Sequence, residues 1–175
     1  FKRGRQEDAH EYFICQVEAL QTAATRHAAE AAGEAVPEAL AATSEIGQLF
    51  GGRLRSQVRC AECGHCSSSY ESYFDLSLEL RKAPSISAAL KLFTATEKLH
   101  GANRYRCPAC TALVDAKKQL QLHRTPLVLT LQLKRFGFSR FGGGKISRPV
   151  AFEESLDLSP YCTGEWLRSG AVSYR

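Results

Sequence analysis

The 175-residue sequence predicts an α+β fold, helical at its start and mostly antiparallel β after about residue 50. Three observations lead there. Apolar residues recur at helical spacing near the N-terminal end, the apolar period changes to two beyond Gly51-Gly52, and two Cys-x-x-Cys pairs flank the middle of the β-rich part. The last feature predicts that the β region holds a four-cysteine metal site.

In chain order, Ala9, Phe13, Val17 and Leu20 share one face of a helix from Glu7 to Leu20, with Glu7 and Asp8 in the first turn where the helix dipole favours acids. The Ala-rich stretch from Gln21 to Ser44 contains Gly33 and Pro37, and can extend that helix, start a second one or serve as a linker. Leu54, Ser56, Val58 and Cys60 then alternate with Arg53, Arg55, Gln57 and Arg59, a strand with one basic face. Phe74, Leu76, Leu78 and Leu80 alternate with Asp75, Ser77 and Glu79 in a second, half-buried strand that Pro84 and Ser85 stop. Ile86, Ala89, Leu90 and Phe93 return to helical spacing behind a serine that can cap them. Leu120 and Leu122 mark one further strand and Leu127 to Leu133 another, with Pro126 at its start, where a missing N–H is tolerated. The Gly142-Gly143-Gly144 turn precedes the run from Lys145 to Phe152.

Composition narrows the function classes. Hydrophobic content of 44% and charged content of 23% are those of an ordinary globular domain. The net charge of +5 is dispersed, so no basic tail of the kind that binds nucleic acid unaided is present. Neither a membrane-length apolar run nor a secretory leader pattern occurs. With no methionine and with an uncapped alternating run from Ala171 to Arg175, the sequence reads as an internal piece of a longer chain. Seven cysteines, four of them in two Cys-x-x-Cys pairs, fit metal binding in a reducing compartment better than a disulfide framework. The expected location is nucleus or cytoplasm.

Cys60-x-x-Cys63 and Cys107-x-x-Cys110 are the strongest local signal. Each turn places two thiolates on one side of a knuckle, and two knuckles complete a tetrahedral site, for which one structural Zn2+ is the expected ion. The stretch between Cys63 and Cys107 exceeds a compact zinc ribbon, so an elaborated finger is expected. A closed four-cysteine site has no position open to water and is not a catalytic centre; His65 and Cys66 beside the first knuckle are bystanders.

Three blocks together resemble the ubiquitin-specific protease family of deubiquitinases: Gly4-Arg5-Gln6-Glu7-Asp8-Ala9-His10-Glu11-Tyr12, the paired Cys-x-x-Cys with Tyr105 ahead of its second half, and Leu131-Gln132-Leu133-Lys134-Arg135-Phe136. Lys145-Ile146, Val150, Phe152 and Leu156-Asp157-Leu158 look like the same family's continuation, and the 51–56 and 130–136 segments are most similar to its nuclear and nucleolar members. The resemblance implies part of a papain-like catalytic domain, with residues 1–50 as thumb helices, 51–125 as zinc-bearing fingers, and 126–175 as palm strands and a ubiquitin-tail loop. It implies a full enzyme that hydrolyses the bond after the C-terminal glycine of ubiquitin, acting on ubiquitin and ubiquitinated proteins. The family's nucleophile and base boxes do not match within these residues, so the isolated stretch is expected to be inactive. By the same resemblance Gln6, Asp8, His10 and Glu11 contact ubiquitin, and the loop from Gly137 to Ser147 closes over its tail.

Neither nucleic acid nor membrane is an expected partner, and the sequence leaves the oligomeric state open. Cys15 reads as a helix-packing residue and Cys162 as a loop residue, while His27, His100 and His123 read as surface side chains. A non-catalytic ubiquitin-binding module is the alternative; a zinc-ribbon nucleic-acid binder, suggested by Arg53, Arg55 and Arg59, ranks below both.

Overall fold

The computed structural model describes residue 4 and residues 8–32, 41–137, 144–168 and 173–175. Gln6, Glu7, Gly33, Pro37, Gly142, Gly143, Ala171 and Val172 lie outside the described residues, as does most of the Gly137–Ser147 loop. The chain divides into two compact units, one formed by Phe1–Gly52, Tyr73–Leu76 and Thr125–Gln132, the other by Arg53–Ser72, Ser77–Arg124 and Leu133–Arg175.

In the first unit, helix α1 (Ala9–Ala32) continues well past Leu20, so the alanine-rich stretch resolves in favour of helix at least to residue 32. High helix propensity, unopposed by Gly or Pro before residue 33, accounts for the extension. Asp8 starts it: its Oδ1 accepts from the backbone N–H of His10 at 2.8 Å and of Glu11 at 3.4 Å, satisfying donors that a helix start leaves unpaired. Helix α2 (Glu45–Leu49), capped by Ser44, packs against α1. The Gln21 amide donates to the carbonyl of Ala41 at 2.9 Å and accepts from the Ser44 hydroxyl at 2.8 Å. Phe13 and Phe50 meet edge to face with centroids 6.2 Å apart. Gly52 is required by close approach, because a Cβ there would lie 2.2 Å from the Tyr73 ring.

The larger unit is built on strands β1 (Gly52–Cys60), β2 (Cys66–Tyr73), β4 (Glu97–Leu99) and β7 (Ala116–Arg124). They form one sheet in the order β2-β1-β7-β4. Antiparallel pairing of β1 with β7 runs from Arg53↔Arg124 to Cys60↔Ala116, with a register shift between Arg53 and Leu54. The short hairpin β5 (Tyr105–Cys107) and β6 (Ala112–Val114) leads into the first residue of β7. Strand β3 (Leu76–Glu79) begins two residues later than the alternation from Phe74 suggests, and β8 (Leu131–Lys134) four residues later than Leu127. Leu127 and Val128 are exposed, at 73% and 45%, so alternation there reports no buried face. Likewise, the run after Gly144 forms only the two-residue strand β10 (Gly144–Lys145), paired with β9 (Phe136–Gly137).

Helix α3 (Ile86–Phe93) forms as its spacing predicts, with the Ser85 hydroxyl accepting from the Ala88 N–H at 3.1 Å. It buries Ala89 and Leu90, and the core of this unit also contains Leu78, Leu80, Leu122 and Leu158. The Arg148 guanidinium ties the turn before α3, donating to the carbonyls of Leu80 and, at 2.7 Å, Ala83. Near the C-terminal end, β11 (Leu156–Asp157) pairs with β12 (Ser173–Tyr174), and helix α4 (Gly164–Leu167) is capped by Thr163. Among the described residues no helix is long and apolar enough to cross a membrane.

Candidate metal centre and helix-start site

The two Cys-x-x-Cys turns come together through strand pairing. Cys60 ends β1 and faces Ala116, the first residue of β7. Cys107 ends β5, whose hairpin partner β6 runs through Asp115 into that same Ala116. Two cysteines distant in sequence therefore meet because the second knuckle's hairpin leads directly into the strand that pairs with the first knuckle's strand.

The knuckles share one local design. The N–H of Cys63 donates to Cys60 Sγ at 3.4 Å, and the N–H of Cys110 to Cys107 Sγ at 3.5 Å. The next residue in each case is left-handed, Gly64 at φ +71° and Thr111 at φ +54°. The Cys60 N–H closes the first turn on the carbonyl of His65 at 2.9 Å. All four Sγ atoms lie within 4.8 Å of one another, with Cys60···Cys110 and Cys63···Cys107 each 3.8 Å apart. Tyr105 and Val114 pack around Cys60, Cys107 and Cys110, so the cluster forms a small core of its own.

This is a donor set of four soft sulfurs at tetrahedral-edge spacing, which suits a thiolate-seeking cation. The surroundings polarise the thiols. Hydrogen bonding, first from the Cys63 N–H, lowers Cys60 from 9.0 to about 7, while sharing hydrogen bonds with Cys63 and then burial push Cys110 up to about 12. His65 and Cys66 stay out of the quartet.

The helix start presents a second group of polar residues. His10 Nε2 lies 3.0 Å from Asp75 Oδ2, with 15% of the Asp75 side chain exposed. His10 is thus a tethered residue of the first unit, which the sequence could not reveal because Asp75 is remote along the chain. Glu11 is exposed on the first turn, and Gln6 is outside the described residues. Two further readings need correction. Cys162 is buried at 5% exposure and bridges to Leu122, so it is a core residue and not a loop thiol. His123 is half-buried, with Nδ1 3.3 Å from Thr163 Oγ1 and its ring against Tyr70.

Residues 1–173 match the protein family described as ubiquitin carboxyl-terminal hydrolase. The chain belongs to that family. It is 40% identical over 92% of its length to Ubiquitin carboxyl-terminal hydrolase 42 of Homo sapiens, and 38% identical over 92% to Probable ubiquitin carboxyl-terminal hydrolase 16 of Schizosaccharomyces pombe. Those alignments take in 12% and 34% of the two relatives, so the chain spans about a third of its curated relatives or less. Among solved structures, it is similar to a chain of the SAGA Ubp8/Sgf11/Sus1/Sgf73 DUB module bound to ubiquitin aldehyde. There the TM-score is 0.72 and identity 28%, covering 90% of this chain and 33% of that one. Membership of this hydrolase family accounts for the mixed α+β architecture and for a four-cysteine cluster at the tip of antiparallel strands.

Proposed function

We propose that this chain is the ubiquitin-holding, zinc-bearing part of a cysteine-type deubiquitinase that hydrolyses the bond after the C-terminal glycine of ubiquitin. The observation that carries the reading is the family match over nearly the whole chain. The four-sulfur cluster would hold one Zn2+ in a closed site through Cys60, Cys63, Cys107 and Cys110, where the ion pins β1, β5, β6 and β7 and takes no part in hydrolysis.

Ubiquitin's basic, extended tail would be met by Gln6, Asp8, His10 and Glu11. A carboxylate accepts about four hydrogen bonds, so capping the helix leaves Asp8 with acceptor capacity for a ligand. The tethering of His10 to Asp75 supports a preorganised helix start. Seven free cysteines support a reducing location, nucleus or cytoplasm.

The test is turnover of a ubiquitin C-terminal fluorogenic amide, by this chain and by the longer polypeptide containing it, alongside calorimetric titration with ubiquitin. The chain should bind ubiquitin without turnover, and the longer polypeptide should turn the amide over. Turnover by this chain that disappears in Cys15→Ser would overturn the assignment, because it would make Cys15 the nucleophile.

A further inference from the structure

At the end of the sheet next to the cysteine cluster, the larger unit carries a single line of positive charge. Arg59 of β1 faces Lys117 of β7, and Lys117 in turn faces Lys98 of β4. Directly opposed residues of antiparallel strands project to one side, so the three cations stand in a row across three adjacent strands, about 4.5–5.5 Å from one Cβ to the next. All three are exposed. The neighbouring rungs project to the other side: Cys60 and Ala116, both buried, lie in register with Leu99, and Lys118 is set against Glu97, an opposed pair of unlike charge.

Like charges directly opposed in a sheet repel, so the row works against folding. A lysine on an edge strand can discourage stray pairing, which accounts for Lys98, but β1 and β7 are interior strands in the order β2-β1-β7-β4. Among the described residues, the side chains of Arg59, Lys98 and Lys117 enter no ion pair or hydrogen bond. Asp115, two residues before Lys117, is already held by Arg104 at 2.9 Å. The next rung on the same side is the neutral pair Gln57 and Gln119, whose amides donate to Ser68 Oγ and to the Thr94 carbonyl, each at 3.1 Å. At this end of the sheet the charge is thus confined to one line.

We propose that this row is a docking surface for an acidic helical segment of a partner protein. Acids three and four residues apart on a helix lie about 5–6 Å from one another at Cβ and form one line, a spacing that matches the row. Alternate acids of an extended strand would stand roughly 6.6 Å apart and fall out of step with it. A nucleic-acid backbone is met by broader basic surfaces that make many phosphate contacts, and the glutamine rung beside the row offers it no charge. A line of carboxylates supplies the compensation that the three cations lack within the chain.

The experiment is fluorescence anisotropy at low ionic strength, using the longer polypeptide containing this chain, supplied with zinc, and a stapled helical peptide with glutamate at positions i, i+4 and i+8. Saturable binding is expected, weakening as salt is added. Lys117→Gln removes the middle charge and should weaken binding about two- to fivefold, the scale of an exposed ion pair, and the combined Arg59→Gln, Lys98→Gln and Lys117→Gln variant should abolish it. Because it relieves repulsion, Lys117→Gln should melt no lower than wild type, and its affinity for ubiquitin should be unchanged. The proposal is overturned if the peptide does not bind saturably, or if a peptide of the same composition with its glutamates spread around the helix binds equally well. Wild-type peptide affinity in a folded Lys117→Gln variant overturns it too. Tighter binding of a single-stranded oligonucleotide than of the helix would replace it with a phosphate backbone. Equal losses of ubiquitin and peptide affinity in Lys117→Gln would assign the row to the ubiquitin contact instead.

Discussion

Asp8 is where two physical roles coincide. Its carboxylate caps α1, and the proposed tail contact would use the same group. Asp8→Ala should therefore cost about 0.5–2 kcal/mol of stability through the lost cap. It should also weaken ubiquitin by roughly one to two decades, the scale of a charge-assisted hydrogen bond. Asp8→Asn separates the roles, because asparagine caps about as well but carries no charge. Melting near wild type with weakened ubiquitin titration is the expected result, and wild-type affinity in that variant would remove Asp8 from the tail site. Cys162 makes a second test at this scale. Burial, and then the Asp157 charge, push its thiol from 9.0 up to about 11. At pH 8 it should resist iodoacetamide while exposed Cys15 and Cys66 react, as peptide mass spectrometry would read. Because the folded value is the higher one, this thiol's contribution to stability is complete below about pH 9 and is lost as pH rises toward 11.

Among the elements, the two knuckles and α3 show how local conformation and packing divide the work. Gly64 sits at φ +71° with nothing near a Cβ, so Gly64→Ala meets no clash and its cost is purely that of left-handed backbone. A loss of about 1–2 kcal/mol is expected in denaturant melts of the metal-loaded protein. Thr111 bears that strain already at the equivalent place in the second knuckle. Helix α3 is short and depends on burial more than propensity. Leu90 is fully buried, and Leu90→Ala should cost about 2–5 kcal/mol, against about 1 kcal/mol for removing the Ser85 cap. The two variants measured side by side would rank those contributions.

For the molecule as a whole, the metal centre couples fold and composition. Four strands converge on the sulfurs, and without a cation the cluster must hold unlike thiol and thiolate forms together. Chelation should abolish slow amide exchange in β5, β6 and the adjoining ends of β1 and β7, and elemental analysis of the untreated protein should return one zinc per chain. Protons compete with the metal for thiolates, so affinity should fall as pH drops below about 12, where Cys110 takes up its proton, and more steeply below about 7, where Cys60 does. Unchanged exchange in chelator would show that the sulfurs pack as a plain core.

The sequence by itself determined what rests on short-range pattern: the two Cys-x-x-Cys turns, the β1 alternation, and the capped α3. In each, residues a few positions apart carry the whole signal, as a turn or one face of an element. The family blocks are legible for the same reason, being contiguous. Only the tertiary structure decided the rest. Strand β2 is exposed along nearly its whole length, so no apolar alternation announces it, and pairing with β1 creates it. Cys162 and His123 look ordinary in isolation, and become a buried core thiol and a half-buried ring beside Thr163 because residues 162–163 add to β7 at Leu122. The His10–Asp75 tether and the Arg53–Arg124 opposition likewise join residues far apart in the chain. Such contacts are set by strand register and chain return, and neither leaves a trace in local periodicity.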